Sequence, residues 1–409
     1  MGVFMSPETG IRCHMLIETI ALGMPVAAAF GWWVGRKAPK KKAHPMASRY
    51  NLNHAFLGEQ SNHRSCLIVE EIYRMNPASI DLRFALAALY REQGDYSRAV
   101  EMHQSILEKD QLHSGLYARV SVELARDYLS AGFLDRAEGI LDQLVNKRLL
   151  IRESLRILLE IYEQTKEWSK AIIIAKRLRY EGEKSDYLIA QYNCELADLA
   201  LLNSDRYTAL MHYQHACLIE PNCVRGNIGM ARFYQQRKEY VKAIQHYYPV
   251  WDNHPDFLAL IVEPMYACYE AIGREDEFVC HLEKNTYYRS FVSVAMVIVK
   301  HIHKKAGPEQ ALINVQEELR SSTSLQLLHL AVLWSSGSSP AMSTGLRLWQ
   351  EVLERNLVKR KAFSCKHCGH RYDKMDWRCH ACNTWAQVVP LIDQSCIHRC
   401  TEKLTEFSI

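Results

Sequence analysis

The stretch "GDYSRAVEMHQSIL", residues 94–107, places a small residue, Ala99, three positions after an aromatic one, Tyr96. On a helix these two side chains share one face, and a small side chain there lets a neighbouring helix approach closely. Equivalent alanines follow at Ala137, Ala171, Ala209, Ala243 and Ala311, at intervals of 38, 34, 38, 34 and 68 residues. A period of 34 residues predicts tetratricopeptide repeats, which are helical hairpins that stack into a superhelix.

The repeat pattern extends over residues 50–357, which are short of Gly and Pro and helical in periodicity. Steps of 34 residues beyond the outer alanines reach Ser65 and Gly345, both small. Pro77 and Pro221 each fall twelve residues after a small position, where this repeat turns between units. The region therefore predicts eight or nine hairpins with a concave face that can bind a protein segment or a partner domain.

Three residues depart from the repeat pattern. Glu277 occupies a position where a small residue is expected, so that unit is predicted to be degenerate. Lys166 and Lys238 replace the small residue that precedes the second helix of their units. The two 38-residue intervals imply insertions between helices.

A second stretch, "CKHCGHRYDKMDWRCHACNTW" at residues 365–385, carries two CxxC pairs. Its four thiols, Cys365, Cys368, Cys379 and Cys382, have the spacing of one tetrahedral sulfur site that binds zinc or a single iron. Each CxxC knuckle needs a residue tolerant of positive φ after its second cysteine, and Gly369 and Asn383 stand there. Four thiolates leave no open coordination position, so the metal is predicted to be structural.

Two other functions use the same four cysteines. An electron carrier of the rubredoxin type requires a redox partner and an iron close to solvent. A nucleic-acid-binding ribbon requires aromatic side chains among cations. Residues 359–377 supply both types: the cations Lys359, Arg360, Lys361, Lys366, Arg371 and Lys374 stand beside the aromatic residues Phe363, Tyr372 and Trp377.

Residues 15–35, "MLIETIALGMPVAAAFGWWVG", carry one charge in 21 positions. A helix of this length spans about 30 Å, which is one bilayer crossing. The cations in "RKAPKKK", residues 36–42, follow the apolar run, so the positive-inside rule places the remainder of the chain in the cytoplasm. A cleaved signal peptide would carry its cations before the apolar run, and a retained single-span anchor is therefore expected.

The composition narrows the functional classes. The 50 Lys and Arg residues nearly balance the 46 Asp and Glu residues, so no chain-wide basic field marks a nucleic-acid-binding protein. The 13 cysteines are an odd number, and only four are in paired spacing, which fits a reducing cytosol. The repeats contain no Gly-rich phosphate loop, HExxH or GxSxG motif, so the chain is predicted not to be an enzyme.

The order of these parts resembles a known family. An apolar helix ending "PVAAAFGWWVGRK", repeats that include "YLSAGFLDRAE" and "KEWSKAI", and a knuckle pair that ends "CNTW" are similar to the lipopolysaccharide assembly protein B family of Gram-negative bacteria. The resemblance runs from about Met15 to Asp393. His380 stands where many rubredoxin knuckles have proline.

The resemblance implies a regulator in the inner membrane that faces the cytoplasm. Such a regulator directs the membrane protease FtsH toward LpxC, the deacetylase of the lipid A pathway, and thereby limits lipopolysaccharide synthesis; it can also scaffold other synthesis and export proteins. It further implies that Cys365, Cys368, Cys379 and Cys382 bind iron, with zinc as the alternative.

The predicted organisation is all-α apart from the knuckle. It comprises an N-terminal extension (1–14), a transmembrane helix (15–35), a basic linker (36–49), tetratricopeptide repeats (50–357), a rubredoxin-type metal domain (358–393) and a tail (394–409).

Overall fold

The computed structural model describes residues 59–108, 112–289, 291–321, 324–335, 340–359 and 361–391. The predicted extension, transmembrane helix, basic linker and tail lie outside the described residues, as do the side chain of Ser65 and the surroundings of Gly345. Among the residues that are described, no helix combines the length and the apolar character needed to cross a bilayer.

Contacts divide the chain into two units, Met1–Met102 and His103–Ile409. The first unit contains α1 (Glu59–Met75), α2 (Ile80–Glu92) and the start of α3 (Tyr96–Leu107). Pro77 lies in the turn between α1 and α2, as predicted. Cys66, Leu86, Tyr90 and Ala99 form its small core.

The second unit continues with helical hairpins and ends in a small sheet. Its helices are α4 (Ser114–Ser130), α5 (Leu134–Asn146), α6 (Ile151–Thr165), α7 (Trp168–Tyr180), α8 (Asp186–Leu202), α9 (Arg206–Ile219), α10 (Val224–Gln236), α11 (Tyr240–Asn253), α12 (Leu258–Ala271), α13 (Glu275–Lys284), α14 (Thr286–Arg289), α15 (Val292–Ala306), α16 (Pro308–Ser321), α17 (Leu325–Ser335) and α18 (Pro340–Lys359). A 3-10 turn, Pro255–Phe257, precedes α12. Pro221 lies in the turn between α9 and α10, as predicted.

The small positions are the contact points of the hairpins. Every predicted alanine is the fourth residue of the second helix in its hairpin and is buried: Ala99, Ala137, Ala171, Ala209, Ala243 and Ala311. In the degenerate unit the fourth residue of α13 is the buried Phe278, and the predicted position, Glu277, is exposed. That unit therefore keeps the register of the helix but fills the contact with a large side chain.

The 38-residue intervals arise partly within the helices. The first helices of those two units, α4 and α8, have 17 residues each, whereas α6 has 15 and α10 has 13. The sequence pattern placed the insertions between helices, because a period counts residues without showing which element contains them.

A residue with positive φ stands two positions before the second helix of successive hairpins. These residues are Gly94, Gly132, Lys166, Ser204, Lys238 and Gly273. Lys166 and Lys238, which replace the small residue expected before the second helix, adopt the same conformation as the glycines, with φ of 58° and 63°. The tight turn is therefore kept at a cost of about 1 kcal/mol for each residue that carries a Cβ.

The C-terminal segment forms a three-stranded antiparallel sheet of β1 (Phe363–Cys365), β2 (Arg371–Tyr372) and β3 (Val388–Pro390) in the order β2-β1-β3. The predicted fold class, a helical tetratricopeptide array followed by a rubredoxin-type cysteine knuckle, is confirmed for the described residues.

Substitution of two glycines in one hairpin tests whether positive φ in the turn is strained for a residue that carries a Cβ. A methyl group at Gly132, where φ is +82°, and one at Gly139, inside α5, would both meet open space. We therefore expect Gly132→Ala to lower the free energy of unfolding by about 1 kcal/mol through backbone strain. Gly139→Ala should raise it by about 1 kcal/mol through helix propensity. Urea unfolding of the two variants measures both changes, and equal signs would contradict the strained turn.

Candidate metal centre and its docking surface

The four predicted cysteines converge in the C-terminal sheet domain. Their sulfur atoms lie within 4.8 Å of one another. The Sγ atoms of Cys365 and Cys382 are 3.7 Å apart, and those of Cys368 and Cys379 are 3.6 Å apart. A tetrahedral site with metal–sulfur bonds of about 2.3 Å has edges of about 3.8 Å, so the cluster can hold one metal ion.

Local backbone geometry explains why the sulfurs converge. Gly369 and Asn383, the residues after each CxxC pair, have φ of 76° and 57°, as the sequence predicted. The N–H of Gly369 donates to the carbonyl of Cys365, and that of Asn383 to the carbonyl of Cys379, both at 2.8 Å. These two matched turns point each pair of sulfurs to the same side.

The environment of Cys379 favours its thiolate. Burial raises the pKa of this thiol, but hydrogen bonds from the Tyr372 hydroxyl and from the backbone N–H groups of Cys382 and Ala381 outweigh burial and lower it to about 6. The Tyr372 oxygen lies 3.0 Å from the sulfur. A deprotonated thiol is the form that binds a metal.

When bound, a metal ion in this four-sulfur shell supplies folding free energy to a segment too small to fold on its apolar residues alone. Within the described residues, no histidine joins the cysteine cluster. His380 instead pairs with Asp376 at 2.5 Å on the surface.

The domain docks on the helical repeats through Trp385. Its indole ring packs edge-on against Trp168 and Tyr192, with ring centroids 5.9 and 5.8 Å away. Its Nε1–H donates to Glu163 at 3.0 Å, and Arg378 pairs with the same carboxylate at 2.8 Å. Glu163 also accepts a hydrogen bond from the Tyr192 hydroxyl at 2.6 Å.

A second set of contacts lies around Trp377. Its ring stacks on Phe257 with centroids 5.9 Å apart, and the guanidinium of Arg225 lies 5.8 Å from its centroid. Lys366 pairs with Asp256 at 2.6 Å. The domain thus spans several hairpins, from α6 to the 3-10 turn before α12.

The hydroxyl of Tyr187, on α8, completes the interface by donating to the carbonyl of Trp385. The sequence pattern identified the cysteines but did not predict this docking. The signal in the sequence that could have predicted docking is the presence of Trp377 and Trp385 in a module too short to bury both of them.

Comparison with known proteins agrees with both parts of the chain. Residues 363–390 match a family model described as a rubredoxin metal binding domain. The chain is 24% identical to lipopolysaccharide assembly protein B of Escherichia coli (strain K12) across 92% of this chain and 98% of that relative. It is also 24% identical to the Haemophilus influenzae protein of the same name, across 93% and 99%. The predicted resemblance is confirmed.

Among solved structures, a tetratricopeptide repeat protein from Parabacteroides merdae is 14% identical and superposes with a TM-score of 0.31. The match covers 63% of this chain and 98% of that one.

Two tryptophans test the docking surface. Trp385 is buried against the repeats, whereas Trp349 on α18 is 63% exposed. We expect Trp385→Ala to weaken docking by about 3 kcal/mol, because it removes ring packing and leaves Glu163 without one donor. Hydrogen exchange over residues 363–390 should then accelerate while the metal stays bound. Trp349→Ala is the control and should leave that exchange unchanged; unchanged exchange in Trp385→Ala would contradict the interface.

The pH dependence of metal release tests the role of Tyr372. The lowered pKa of Cys379 keeps the thiolate available until the pH falls through about 6. Tyr372→Phe removes a hydrogen bond to that thiolate and raises its pKa, so protons displace the metal at a higher pH. We expect the midpoint of zinc release to rise by roughly one pH unit. A chromophoric chelator measures the release, and Tyr180→Phe, at an exposed position, should not move the midpoint.

Proposed function

We propose that this chain, similar along nearly its whole length to lipopolysaccharide assembly protein B, is an adaptor in lipopolysaccharide assembly. It is anchored in the inner membrane by residues 15–35 and faces the cytoplasm. It binds the protease FtsH and the deacetylase LpxC and promotes proteolysis of LpxC, which limits lipopolysaccharide synthesis.

The observation that carries this proposal is the extent of the similarity, 92% of this chain and 98% of the Escherichia coli relative. A match of that extent includes the repeats and the cysteine domain together. An adaptor also agrees with the chemistry of the cluster, because four thiolates fill a tetrahedral shell and leave no position for a substrate.

The docked knuckle suggests how the adaptor works. It occupies part of the surface formed by α6, α8 and α10. The metal therefore shapes a composite surface made of repeats and knuckle. Confinement of the adaptor and a membrane protease to one membrane raises their effective concentration without any added contact.

One observation favours electron transfer as a second function. Cys368 is exposed, so a metal held by it lies close to solvent, which a rubredoxin-type carrier requires. Nucleic-acid binding has less support. Lys361 and Lys366 form ion pairs with Asp373 and Asp256, and the ring of Trp377 is stacked on Phe257.

The test measures the half-life of LpxC in the bacterium that encodes the chain. The chromosomal gene for the chain is first replaced by the gene for the form under test. We expect the full chain to keep the half-life short, and a soluble form lacking residues 1–35 to lengthen it several-fold although it is folded. A half-life that is unchanged when the whole chain is removed would overturn the proposed function.

Exchange of iron for zinc distinguishes an adaptor function from an electron-transfer function. Zinc binds the same thiolates but has no redox chemistry, so the zinc-loaded protein should restrain LpxC as well as the iron-loaded one. Cys379→Ser should lose metal, loosen residues 363–391 and fail to regulate, while circular dichroism of the helices persists. Failure of a zinc-loaded, fully docked protein would assign the function to the electrons of iron.

A further inference from the structure

Three cysteines outside the metal centre lie together in the core of the second unit. Cys194 is on α8, Cys217 is on α9, and Cys223 immediately precedes α10. The Sγ atoms of Cys194 and Cys223 are 3.9 Å apart although 29 residues separate them. A methyl group at Gly226 would lie 3.0 Å from the sulfur of Cys217 and 3.5 Å from that of Cys223. The cysteines that appear scattered in sequence are therefore neighbours in the fold.

The position of Cys223 distinguishes it from an ordinary buried thiol. It is the N-cap of α10, and its sulfur accepts a hydrogen bond from the side-chain N–H of Gln191 on α8, at 3.8 Å. The hydrogen bond from Cys194 lowers the pKa of Cys223 against the opposing effect of burial, and Gly226 and Arg225 lower it further. Burial raises the pKa of Cys194 well above its usual range. The pair thus combines a sulfur favoured as thiolate with a neighbouring thiol that donates to it, the arrangement of a reactive cysteine at a helix N-terminus.

We propose that Cys194 and Cys223 form an oxidation site, a dithiol that hydrogen peroxide converts into a disulfide between α8 and the start of α10. The thiolate of Cys223 attacks one peroxide oxygen; the O–O bond breaks, hydroxide leaves and takes up the proton that the Cys223 thiol had lost to give water, and Cys223 becomes a sulfenic acid. The sulfur of Cys194 then attacks the sulfur of Cys223, the S–O bond breaks, and a second water leaves with the thiol proton. The dithiol loses two electrons and one peroxide is reduced to two waters.

The geometry makes this pairing accessible to side-chain rotation. A disulfide has an S–S bond of about 2.05 Å, so the sulfurs must approach by about 2 Å from their present separation. Cys194 lies within α8 and Cys223 at the end of the α9–α10 turn, so the required movement involves one helix side chain and one turn residue. Peroxide is close to water in size and reaches the pair through local opening of the hairpins.

The disulfide would join the two helices that hold the metal domain. Tyr187 on α8 donates to the carbonyl of Trp385, and Arg225 on α10 lies over the ring of Trp377. Cys223 is close to this interface, since Gln191, one turn after Tyr187 on α8, donates to its sulfur at 3.8 Å. Oxidation therefore fixes the spacing of two docking contacts and slows release of the knuckle. This inference goes beyond the proposed function and does not depend on it.

Peptide mapping of the zinc-loaded full chain in detergent, with and without hydrogen peroxide, tests the proposal. After the remaining thiols are alkylated, cleavage with chymotrypsin, which cuts after Leu218, separates Cys217 from Cys223. We expect a peptide pair joined through Cys194 and Cys223 that reduction with dithiothreitol splits. Hydrogen exchange across α8, the start of α10 and residues 363–390 should slow by about tenfold or more, because a closed loop of some 30 residues restricts opening.

Cysteine variants identify the partners. Cys217→Ser should still form the crosslink, whereas Cys194→Ser should abolish it and leave Cys223 as a sulfenic acid that a dimedone probe traps. A crosslink through Cys217 would overturn the assignment, as would sulfinic acid at Cys223 or three alkylatable thiols after peroxide treatment. The peptide map of the chain without substitutions identifies the disulfide partners even if a variant fails to fold.

Discussion

The carboxylate of Glu163 is the point on which the arrangement of repeats and metal domain depends. It accepts hydrogen bonds from the Tyr192 hydroxyl, the Trp385 indole and the Arg378 guanidinium. A carboxylate removed from water costs several kcal/mol unless it is paired and fully hydrogen-bonded. The donors come from a neighbouring hairpin and from two positions of the knuckle, so the carboxylate keeps its partners, when docking removes it from water, only if the knuckle is folded. Metal binding, which orders the knuckle, is thereby coupled to the surface of the repeats.

The two sulfur sites of the second unit show how environment assigns chemistry to the same side chain. Of the four knuckle cysteines, Cys368 is exposed and Cys365 and Cys379 are buried; their sulfurs cluster as one shell, and Tyr372 and backbone N–H groups stabilise the thiolate of Cys379. Cys194 and Cys223 are buried, paired with each other, and have no shell to complete. One arrangement uses sulfur as a metal ligand and the other presents it to an oxidant. Residue type alone does not distinguish the two sites, but the local backbone does: a residue with positive φ follows each CxxC pair, whereas Cys194 lies within α8 and Cys223 caps α10.

Local features of the fold could be predicted from the sequence because they are encoded locally. The buried alanines of the hairpins and the positive φ of Gly369 and Asn383 follow from spacing and from the steric demands of a turn. The use of Phe278 in place of Glu277 as the contact residue could not be predicted, because Phe278 is large and lies 35 residues after Ala243 and 33 before Ala311, off the 34-residue period. Docking of Trp385 on Trp168 joins residues more than two hundred positions apart, and no periodicity records such a contact. The pairing of Cys194 with Cys223 was hidden for the same reason.

Trp385 follows Glu163 by 222 residues, so the ribosome synthesises the repeats before the knuckle. A ribosome adds about 5–20 residues per second, so Glu163 emerges on the order of ten seconds or more before the side chains that complete it. During that interval the hairpins from α6 to α12 fold with their docking face uncovered, and the nascent chain is held near its site of synthesis. Release of the finished chain and binding of its metal then close the face. The order of synthesis thus gives the newborn protein a binding surface that the mature protein has covered.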